Sequence, residues 1–289
     1  SRDAWVYGYS KEKVAQNTER LVQNYNNELK RLKNIPVNER KDLLNRKSDH
    51  INWSRKLERF AVNDIELEFH QSHLKLSLYR PFTKKWVYHD KALNEEARLY
   101  YNKFGQNNLV INTTGRGTTR YFSPLVVDCI PSNDFMEKGQ GFMRYDNEID
   151  ETSLFQNNDN MNQEFANKLG LNLDDTFAYV YGLLNSKEYQ EKYANDLKKD
   201  LARIPIVKNK EKYVEIGQKL MDLHLNYEEV PVYQGVEITP FVNPSYKVTK
   251  MRFAKKRDEN GKLVNDLSAI IFNGDITISN IPEKDMSML

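Results

Sequence analysis

His70 and His73, with Glu66 or Glu68 as a third ligand, are candidates for binding a metal ion, and Cys129 is a candidate nucleophile. The two histidines stand three residues apart beside Glu66 and Glu68, but on a strand this spacing points the two rings to opposite faces. No further Cys or His completes a closed zinc site. Cys129 follows an apolar, strand-like run, which predicts a buried and unreactive thiol. We therefore expect two turn histidines, no metal site and no catalytic cysteine.

The NPSY sequence at 243–246 is a candidate for chemistry on a nucleic-acid base. Amino-methyltransferases hold a flipped base on an Asn/Asp-Pro-Pro-Tyr/Phe loop, in which the polar side chain and the proline carbonyl bind the amino group. Ser245 here replaces the second proline. These enzymes also need a glycine-rich turn between a strand and a helix to bind S-adenosylmethionine, and the GRG and GQG sequences at 115–117 and 139–141 lack that context. We interpret NPSY as a turn.

Other signatures of catalysis are missing, and the composition is that of an ordinary globular protein. The sequence has no Walker A, HExxH or GxSxG motif, so we predict that the chain alone is not an enzyme. Its 289 residues are 29% charged and 11% aromatic, with a net charge of only +2. No apolar stretch is long enough to cross a membrane, and the start does not resemble a signal peptide. We expect a cytoplasmic protein without disulfides.

The polar loop NTTGRGTTRY at 112–121 is a better candidate for a binding site. It lies in a window, 97–127, that contains no Asp or Glu. Glycines let a backbone approach a phosphate, Thr and Asn can donate to it, and Arg can clamp a phosphate or bind guanine through two hydrogen bonds. A surface loop without a ligand is an equal alternative. The cations of the window are Arg98, Lys103, Arg116 and Arg120, and the predicted contacts are Arg116, Thr118, Thr119 and Arg120.

Two further stretches combine cations in a way that suits a nucleic acid. The sequence YRPFTKKWVY at 79–88 mixes three cations with four aromatic residues, and 246–262 carries seven cations against two anions. Each is also compatible with a solvated face or a half-buried strand pair. The candidate residues in these stretches are Lys84, Lys85, Lys255, Lys256 and Arg257.

Hydrophobic periodicity predicts the elements that position these residues. Apolar residues recur at three- and four-residue steps up to Leu32, which predicts a long helix from about Ser10 to before Pro36. At 63–78 the period changes to two, which predicts two strands with a turn at 70–73. Further strands are predicted at 86–89, 109–112 and 125–130, helices at 176–184, 187–199 and 210–225, an exposed acidic loop at 146–163, and hairpin turns at 258–261 and 273–274. The predicted fold is a mixed α+β (α/β) fold, with a helical N-terminal segment followed by a mixed sheet with packed helices.

Five stretches, taken in order, resemble the C-terminal specificity domain of type ISP restriction-modification enzymes. They are RDAWVY at 2–7, INWS at 51–54, YRPFTKKWVY at 79–88, FAYVYG at 177–182 and YQEKYANDLKKDLARIP at 189–205. The resemblance covers nearly the whole chain, and the order of the stretches is far more specific than any one of them. The sequence departs from the family at its end, where 283–289 stops before a further C-terminal segment that the family leads us to expect.

The resemblance implies a module of a single polypeptide that also contains a nuclease, an ATP-dependent motor and an adenine-N6 methyltransferase. S-adenosylmethionine, ATP and Mg would then be bound upstream, with no cofactor in this chain. Residues 1–62 would link to the methyltransferase, and 63–289 would be the target-recognition domain. We expect sequence-specific binding of double-stranded DNA, with the methyltransferase and motor domains as partners in cis. The alternatives are a fragment of an adenine methyltransferase with its own cofactor contacts through Asn243 to Tyr246, and a structural coupling domain without DNA contact.

Overall fold

The computed structural model describes residues 3–47, 49–94, 108–133, 135–146, 159–231, 233–240, 242–248 and 250–282. The chain divides into two compact units, Ser1–Glu228 and Glu229–Leu289. Helices and three β-sheets occur together in the described ranges, which confirms the predicted mixed α+β class. The cations Arg98 and Lys103, most of the predicted loop at 146–163 and the C-terminal 283–289 lie outside the described residues.

Polar side chains cap the N-termini of several helices. Ser10 Oγ accepts a hydrogen bond from the Lys13 N–H at 3.1 Å, and Asn172 Oδ1 accepts one from the Asp175 N–H at 2.7 Å. Across these described ranges, no helix combines the length and apolar character that crossing a membrane requires. The helices are α1 (Asp3–Val6), α2 (Lys11–Leu32), α3 (Val37–Arg40), α4 (Arg55–Val62), α5 (Gln163–Leu169), α6 (Leu173–Leu184), α7 (Lys187–Lys192), α8 (Ala194–Leu197) and α9 (Lys210–Leu225).

The strands form three separate sheets. Their bounds are β1 (Tyr7–Gly8), β2 (Leu74–Arg80), β3 (Thr83–Tyr88), β4 (Val110–Thr113), β5 (Pro124–Val127), β6 (Ile130–Pro131), β7 (Gln140–Met143), β8 (Glu237–Pro240), β9 (Arg252–Arg257), β10 (Leu263–Ile271) and β11 (Ile276–Ser279). The first sheet has the order β1-β3-β2-β6, the second β5-β4-β7 and the third β8-β11-β10-β9. All pairs are antiparallel except β2 with β6.

The long helix α2 packs its apolar stripe on the first sheet. Leu21 and Tyr25 of the helix are fully buried together with Leu57 of α4 and Tyr88 of β3. Burial of each such side chain contributes on the order of 1.5–3 kcal/mol. The N-terminal helices and the sheet that follows them therefore share one hydrophobic core.

The segment at 65–70 alternates as the sequence predicts but does not form a strand. Side chains of α2 bind its backbone instead: Asn26 Nδ2 donates to Leu67 O at 2.8 Å, and Tyr25 Oη donates to Ile65 O at 2.9 Å. The turn predicted at 70–73 is a short 3₁₀ helix, Gln71–His73, that leads into β2. The alternation with a period of two thus belongs to an extended segment, and the backbone of this segment forms hydrogen bonds with side chains of α2 instead of with another strand.

Helices α6 and α9 approach each other closely enough for their backbones to touch. A Cβ atom on Gly182 would lie 2.2 Å from Tyr213 O, and one on Gly217 would lie 1.9 Å from Ala178 O, so only glycine fits at either position. Tyr181 Oη, fully buried, accepts a hydrogen bond from the Val126 N–H of β5 at 3.2 Å. The helix pair is in this way joined to the sheet β5-β4-β7, which carries the loop at 112–121 between β4 and β5.

The second unit, Glu229–Leu289, contains the four-stranded sheet β8-β11-β10-β9. The two hairpin turns predicted at 258–261 and 273–274 connect β9 to β10 and β10 to β11, as expected. The β10–β9 pairing shifts its register between Asp266 and Ile270. Most residues of this sheet are only partly buried, and Ile276 is the most buried among its described apolar side chains.

Candidate nucleic-acid interface

The two glycines of the loop at 112–121 serve contacts within the protein. The Gly115 N–H donates to Glu137 O at 3.1 Å, and a Cβ atom on Gly115 would lie only 1.6 Å from Lys138 O. Gly117 has a φ of +72°, a value that favours glycine, and its N–H donates to Lys198 O at 2.7 Å. The loop is therefore held against the segment at 135–139 and against the end of α8.

Glu137 lies beside this loop, although the surrounding sequence window contains no acidic residue. Its Oε2 accepts hydrogen bonds from Thr118 Oγ1 at 2.8 Å and from Thr119 Oγ1 at 3.0 Å. These bonds, led by the one from Thr118, hold the pKa of the Glu137 carboxyl below its usual value. The Arg120 N–H in turn donates to Thr118 Oγ1 at 3.1 Å. The two threonine hydroxyls predicted to contact a ligand thus shape the loop through Glu137.

Arg116, Arg120 and Tyr121 project from this anchored loop. All three are exposed, Tyr121 by 88%. Within the described part of the chain, neither guanidinium group has a hydrogen-bond or ion-pair partner. Each guanidinium offers five N–H donors in a rigid plane, which suits a phosphate or the O6 and N7 atoms of guanine. The loop therefore presents two guanidinium groups without partners, next to an exposed aromatic ring, on a fixed backbone.

Strand β3 divides its two adjacent lysines between opposite faces. Lys84 Nζ lies 3.7 Å from Asp128 Oδ1 and 5.8 Å from the ring centre of Tyr227. Lys85 Nζ lies 3.8 Å from the ring centre of Tyr79 and on the side away from Asp128, as strand alternation requires. The charge of Lys84 is consequently balanced within the protein, whereas Lys85 belongs to a cationic and aromatic cluster.

Strand β9 divides its three cations in the same way. Lys256 pairs with Val264 across the sheet, and its Nζ lies 3.5 Å from Asp266 Oδ1 on the same face. Lys255 and Arg257 lie on the opposite face. Lys255 Nζ donates there to an exposed amide oxygen of the neighbouring strand at 2.7 Å. The structure therefore brings Lys255 and Arg257 together and separates Lys256 from them.

The NPSY sequence and the two glycine pairs adopt local structures different from a nucleotide-binding turn. Asn243 has a φ of +54°, and the Ser245 N–H donates to Asp275 Oδ2 at 2.9 Å, so the sequence is a turn tied to the β10–β11 hairpin. The GRG sequence at 115–117 connects two strands, and the GQG sequence at 139–141 leads into β7. Neither supplies the strand–turn–helix geometry that holds a nucleotide cofactor. These residues do not fit S-adenosylmethionine.

The two turn histidines face each other, contrary to the expectation from strand geometry. The ring centres of His70 and His73 are 5.0 Å apart, because residues three apart align on a 3₁₀ helix. His73 Nδ1 lies 3.2 Å from Asp90 Oδ2. Among the described residues, no group of three His, Cys, Asp or Glu is placed to hold a metal ion. Cys129 is buried, which raises the pKa of its thiol to about 12 and agrees with the predicted unreactive role.

A family model described as the Type ISP C-terminal specificity domain matches residues 1–284. The chain belongs to this family. The match covers almost every residue and confirms the resemblance seen in the five stretches of sequence. No curated protein sequence matches the chain significantly.

Three solved structures are similar to this specificity domain over its whole length. A nuclease-deletion mutant of the Type ISP restriction-modification enzyme LlaGI, in complex with a DNA substrate mimic, is 39% identical with a TM-score of 0.82; the match covers 100% of this chain and 26% of that one. The ATP-dependent Type ISP enzyme LlaBIII bound to DNA is 33% identical with a TM-score of 0.77, and the match covers 98% of this chain and 18% of that one. The DrdV–DNA complex is 25% identical with a TM-score of 0.79, and the match covers 98% and 28%. The chain thus spans between 18% and 28% of the lengths of these relatives.

Two parts of the specificity domain's candidate interface carry no local signal in the sequence. Glu137 stands 19 residues after Thr118, and nothing near it indicates that it binds the loop. Tyr9 comes from the start of the chain, yet its ring centre lies 5.1 Å from Lys85 Nζ. Strand pairing brings each of them to its partner. The pairing of β1 with β3 places Tyr9 near Lys85, and the pairing of β7 with β4 places Glu137 near the loop.

Proposed function

We propose that this specificity domain recognises a particular sequence of double-stranded DNA on behalf of a larger restriction-modification enzyme. The observation that carries the proposal is its similarity, along the whole chain, to the Type ISP enzymes LlaGI and LlaBIII, whose structures contain DNA or a DNA mimic. Recognition would position the duplex for adenine-N6 methylation and ATP-dependent cleavage by domains outside this chain. Residues 1–62 would connect to the methyltransferase domain, and 63–289 would hold the recognition surface.

We place catalysis and cofactor binding in those other domains. The GRG, GQG and NPSY sequences do not fit S-adenosylmethionine, and the chain corresponds to about a quarter of the LlaGI chain. The methyltransferase and motor domains would supply the sites for S-adenosylmethionine, ATP and Mg, and would be partners in cis. An enzyme that acts on DNA in this way would work in the cytoplasm.

Arg116 and Arg120 are the side chains that we propose read bases. Both lie on a loop whose backbone is fixed by Gly115, Gly117 and Glu137, so little conformational freedom is lost when they bind. A guanidinium that donates two hydrogen bonds to guanine is worth about 1–3 kcal/mol of discrimination against other bases. Each arginine would therefore change the preference at one position of the target by about 5- to 150-fold.

Among the remaining predicted contacts, Lys255 and Arg257 would hold the duplex through its backbone. Phosphate contacts fix the orientation of DNA but carry no sequence information. On β9, Lys255 and Arg257 share a face and can touch one duplex together, whereas Lys256 is paired with Asp266 on the other face. Lys84 is balanced by Asp128 in a similar way, and Thr118 and Thr119 are engaged with Glu137. We therefore propose that Lys256, Lys84, Thr118 and Thr119 stabilise the domain itself and do not contact DNA.

Selection from a pool of random duplexes tests the proposal. The 289-residue chain is incubated with the pool, bound DNA is sequenced, and the motif is compared among the wild type, Arg116→Ala, Arg120→Ala and Arg55→Ala. Arg55 is an exposed arginine of α4 and serves as the matched control for loss of one positive charge. We expect the wild type and the control to enrich one motif, and each loop variant to lose the preference at one base pair.

Two results would contradict the proposal. If the wild type enriches no motif, the domain does not recognise sequence, and the alternative of a coupling domain without specific DNA contact is favoured. If both loop variants lose affinity for every sequence alike, the two arginines clamp phosphates and do not read bases.

A further inference from the structure

We propose that Arg80 and Lys85 together bind one phosphate group of the DNA backbone, in a site built on the ring of Tyr79. The proposal rests on the proposed function and assigns a specific contact to it. The site consists of Tyr9, Tyr79, Arg80 and Lys85, which we call the Tyr79 cluster.

Two cations contact the same aromatic ring in this cluster. Arg80 Cζ lies 4.4 Å from the ring centre of Tyr79, and Lys85 Nζ lies 3.8 Å from it. Burial, with a further contribution from the charge of Arg80, lowers the pKa of the Lys85 ammonium group. The two positive charges therefore act on each other, and each disfavours the charged form of the other. An anion bound between them would relieve this repulsion.

The nearby carboxylate of Asp3 offsets only part of this charge: it raises the pKa of Lys85, but burial and Arg80 lower that pKa by more. Asp3 Oδ2 accepts a hydrogen bond from Tyr79 Oη at 3.0 Å. Within the described residues, neither Arg80 nor Lys85 forms an ion pair with a carboxylate. The cluster therefore carries an excess of positive charge, in contrast to Lys84, which is next in sequence to Lys85 and lies 3.7 Å from Asp128.

The cluster is also rigid and open to a large ligand. Arg80 Nη1 donates to Tyr79 O at 2.7 Å, and Ser132 Oγ donates to the same carbonyl at 2.8 Å, so the guanidinium is held in place before a ligand arrives. Arg80 is exposed, and Tyr9 is 75% exposed with its ring 5.1 Å from Lys85 Nζ. A tetrahedral phosphate can accept charge-assisted hydrogen bonds from both cations and pack against the Tyr9 ring.

A phosphate of DNA fits this site better than an acidic protein surface. The cluster combines two cations with the exposed ring of Tyr9. DNA is a polyanion with one charge per about 1.7 Å of helix axis, and the release of its condensed counterions strengthens binding to such cations. A single phosphate contact should therefore contribute about −0.9 to the slope of log K against log salt. It should not alter the preferred sequence.

The test compares Arg80→Gln, Lys85→Gln and the double variant with Lys84→Gln, which removes the adjacent but balanced lysine. Fluorescence anisotropy measures the affinity of the 289-residue chain for its selected duplex and for a scrambled duplex over a series of salt concentrations. We expect both single variants to weaken binding to the two duplexes equally, and the double variant to reduce the salt slope by about 0.9. Lys84→Gln should leave the slope unchanged. Lys85→Arg, which keeps the charge, should retain the wild-type slope, and thermal unfolding checks that each variant is folded.

The results separate this proposal from the proposed function. If the wild type binds its selected duplex but the double variant keeps the wild-type affinity and slope, the Tyr79 cluster does not bind phosphate and is free to contact another domain, while sequence recognition stands. If the double variant changes the preferred sequence, the cluster reads bases, and the proposal is wrong. If the wild type binds no DNA, the proposed function fails and this contact fails with it.

Discussion

The substitution Gly115→Ala tests how tightly the loop at 112–121 is anchored. A Cβ atom at this position would lie 1.6 Å from Lys138 O, whereas Cβ atoms do not come within 3.0 Å of other heavy atoms, so the two must separate by at least about 1.4 Å. That shift breaks the 3.1 Å hydrogen bond from the Gly115 N–H to Glu137 O. Overpacking costs about 1–3 kcal/mol and the lost hydrogen bond about 1 kcal/mol, which gives about 2–4 kcal/mol in total.

The expected loss of stability can be measured by thermal unfolding. For a unit of this size, about 2–4 kcal/mol corresponds to a fall in Tm of roughly 5–15 °C. The matched control is Gly274→Ala, because no atom lies within 4 Å of the Cβ position there. The control should keep the wild-type Tm within about 2 °C. If Gly115→Ala unfolds at the same temperature as the control, the loop at 112–121 is not packed on Lys138, and its backbone is not fixed in the way proposed.

Two further predictions concern the packing of the first unit. Gly217→Ala should lower the free energy of unfolding by up to about 2 kcal/mol, because a new Cβ at 1.9 Å from Ala178 O costs about 1–3 kcal/mol in overpacking while helix propensity gains about 1 kcal/mol. Higher stability in urea would show that α6 and α9 do not touch. Burial lowers the pKa of His89 to about 4, below the ordinary value of 6.5, so its neutral form favours folding and this stability is lost as the pH falls from about 6.5 towards 4. We expect urea unfolding to give about 2 kcal/mol less stability at pH 5 than at pH 7, and His89→Asn to remove that difference; an equal pH dependence in wild type and variant would show that His89 is not the group responsible.

Helix and hairpin positions follow from local signals, and the sequence predicts them well. Helix α9 has the predicted ends, and Ser10 caps α2 as expected. The helix predicted at 187–199 is interrupted at Tyr193, which adopts a φ of −108° and a ψ of 16°. The apolar periodicity of the segment gives no sign of this interruption.

Short strands are harder to predict because their partners lie far away in sequence. Strands β1, β7 and β8 have two to four residues each, and β1 is recognised only through its pairing with β3. The segment at 65–70 shows the converse error, since its alternation is real but its hydrogen bonds go to α2. Hydrophobic periodicity indicates which side chains face a core. It does not indicate which groups form hydrogen bonds with the backbone of the segment.

The candidate site shows the same division between local and distant information. Arg116 and Arg120 can be chosen from sequence alone because glycines, threonines and cations occur together in a few residues. The role of Glu137 cannot, since the sequence separates it from the loop and the absence of acids in the window suggests the opposite. The contrasting environments of Lys84 and Lys85 likewise depend on Asp128 and Tyr79, which only the folded sheet places next to them.

The most direct test of sequence reading is the structure of the 289-residue chain bound to the duplex that it selects. The quantity to measure is the distance from the guanidinium groups of Arg116 and Arg120 to the nearest base edge. We predict that at least one of them lies within hydrogen-bonding distance of a base in the major groove, about 2.7–3.2 Å. A complex in which both guanidinium groups lie more than roughly twice that distance from every base would contradict the account, whatever the affinity of the chain for DNA.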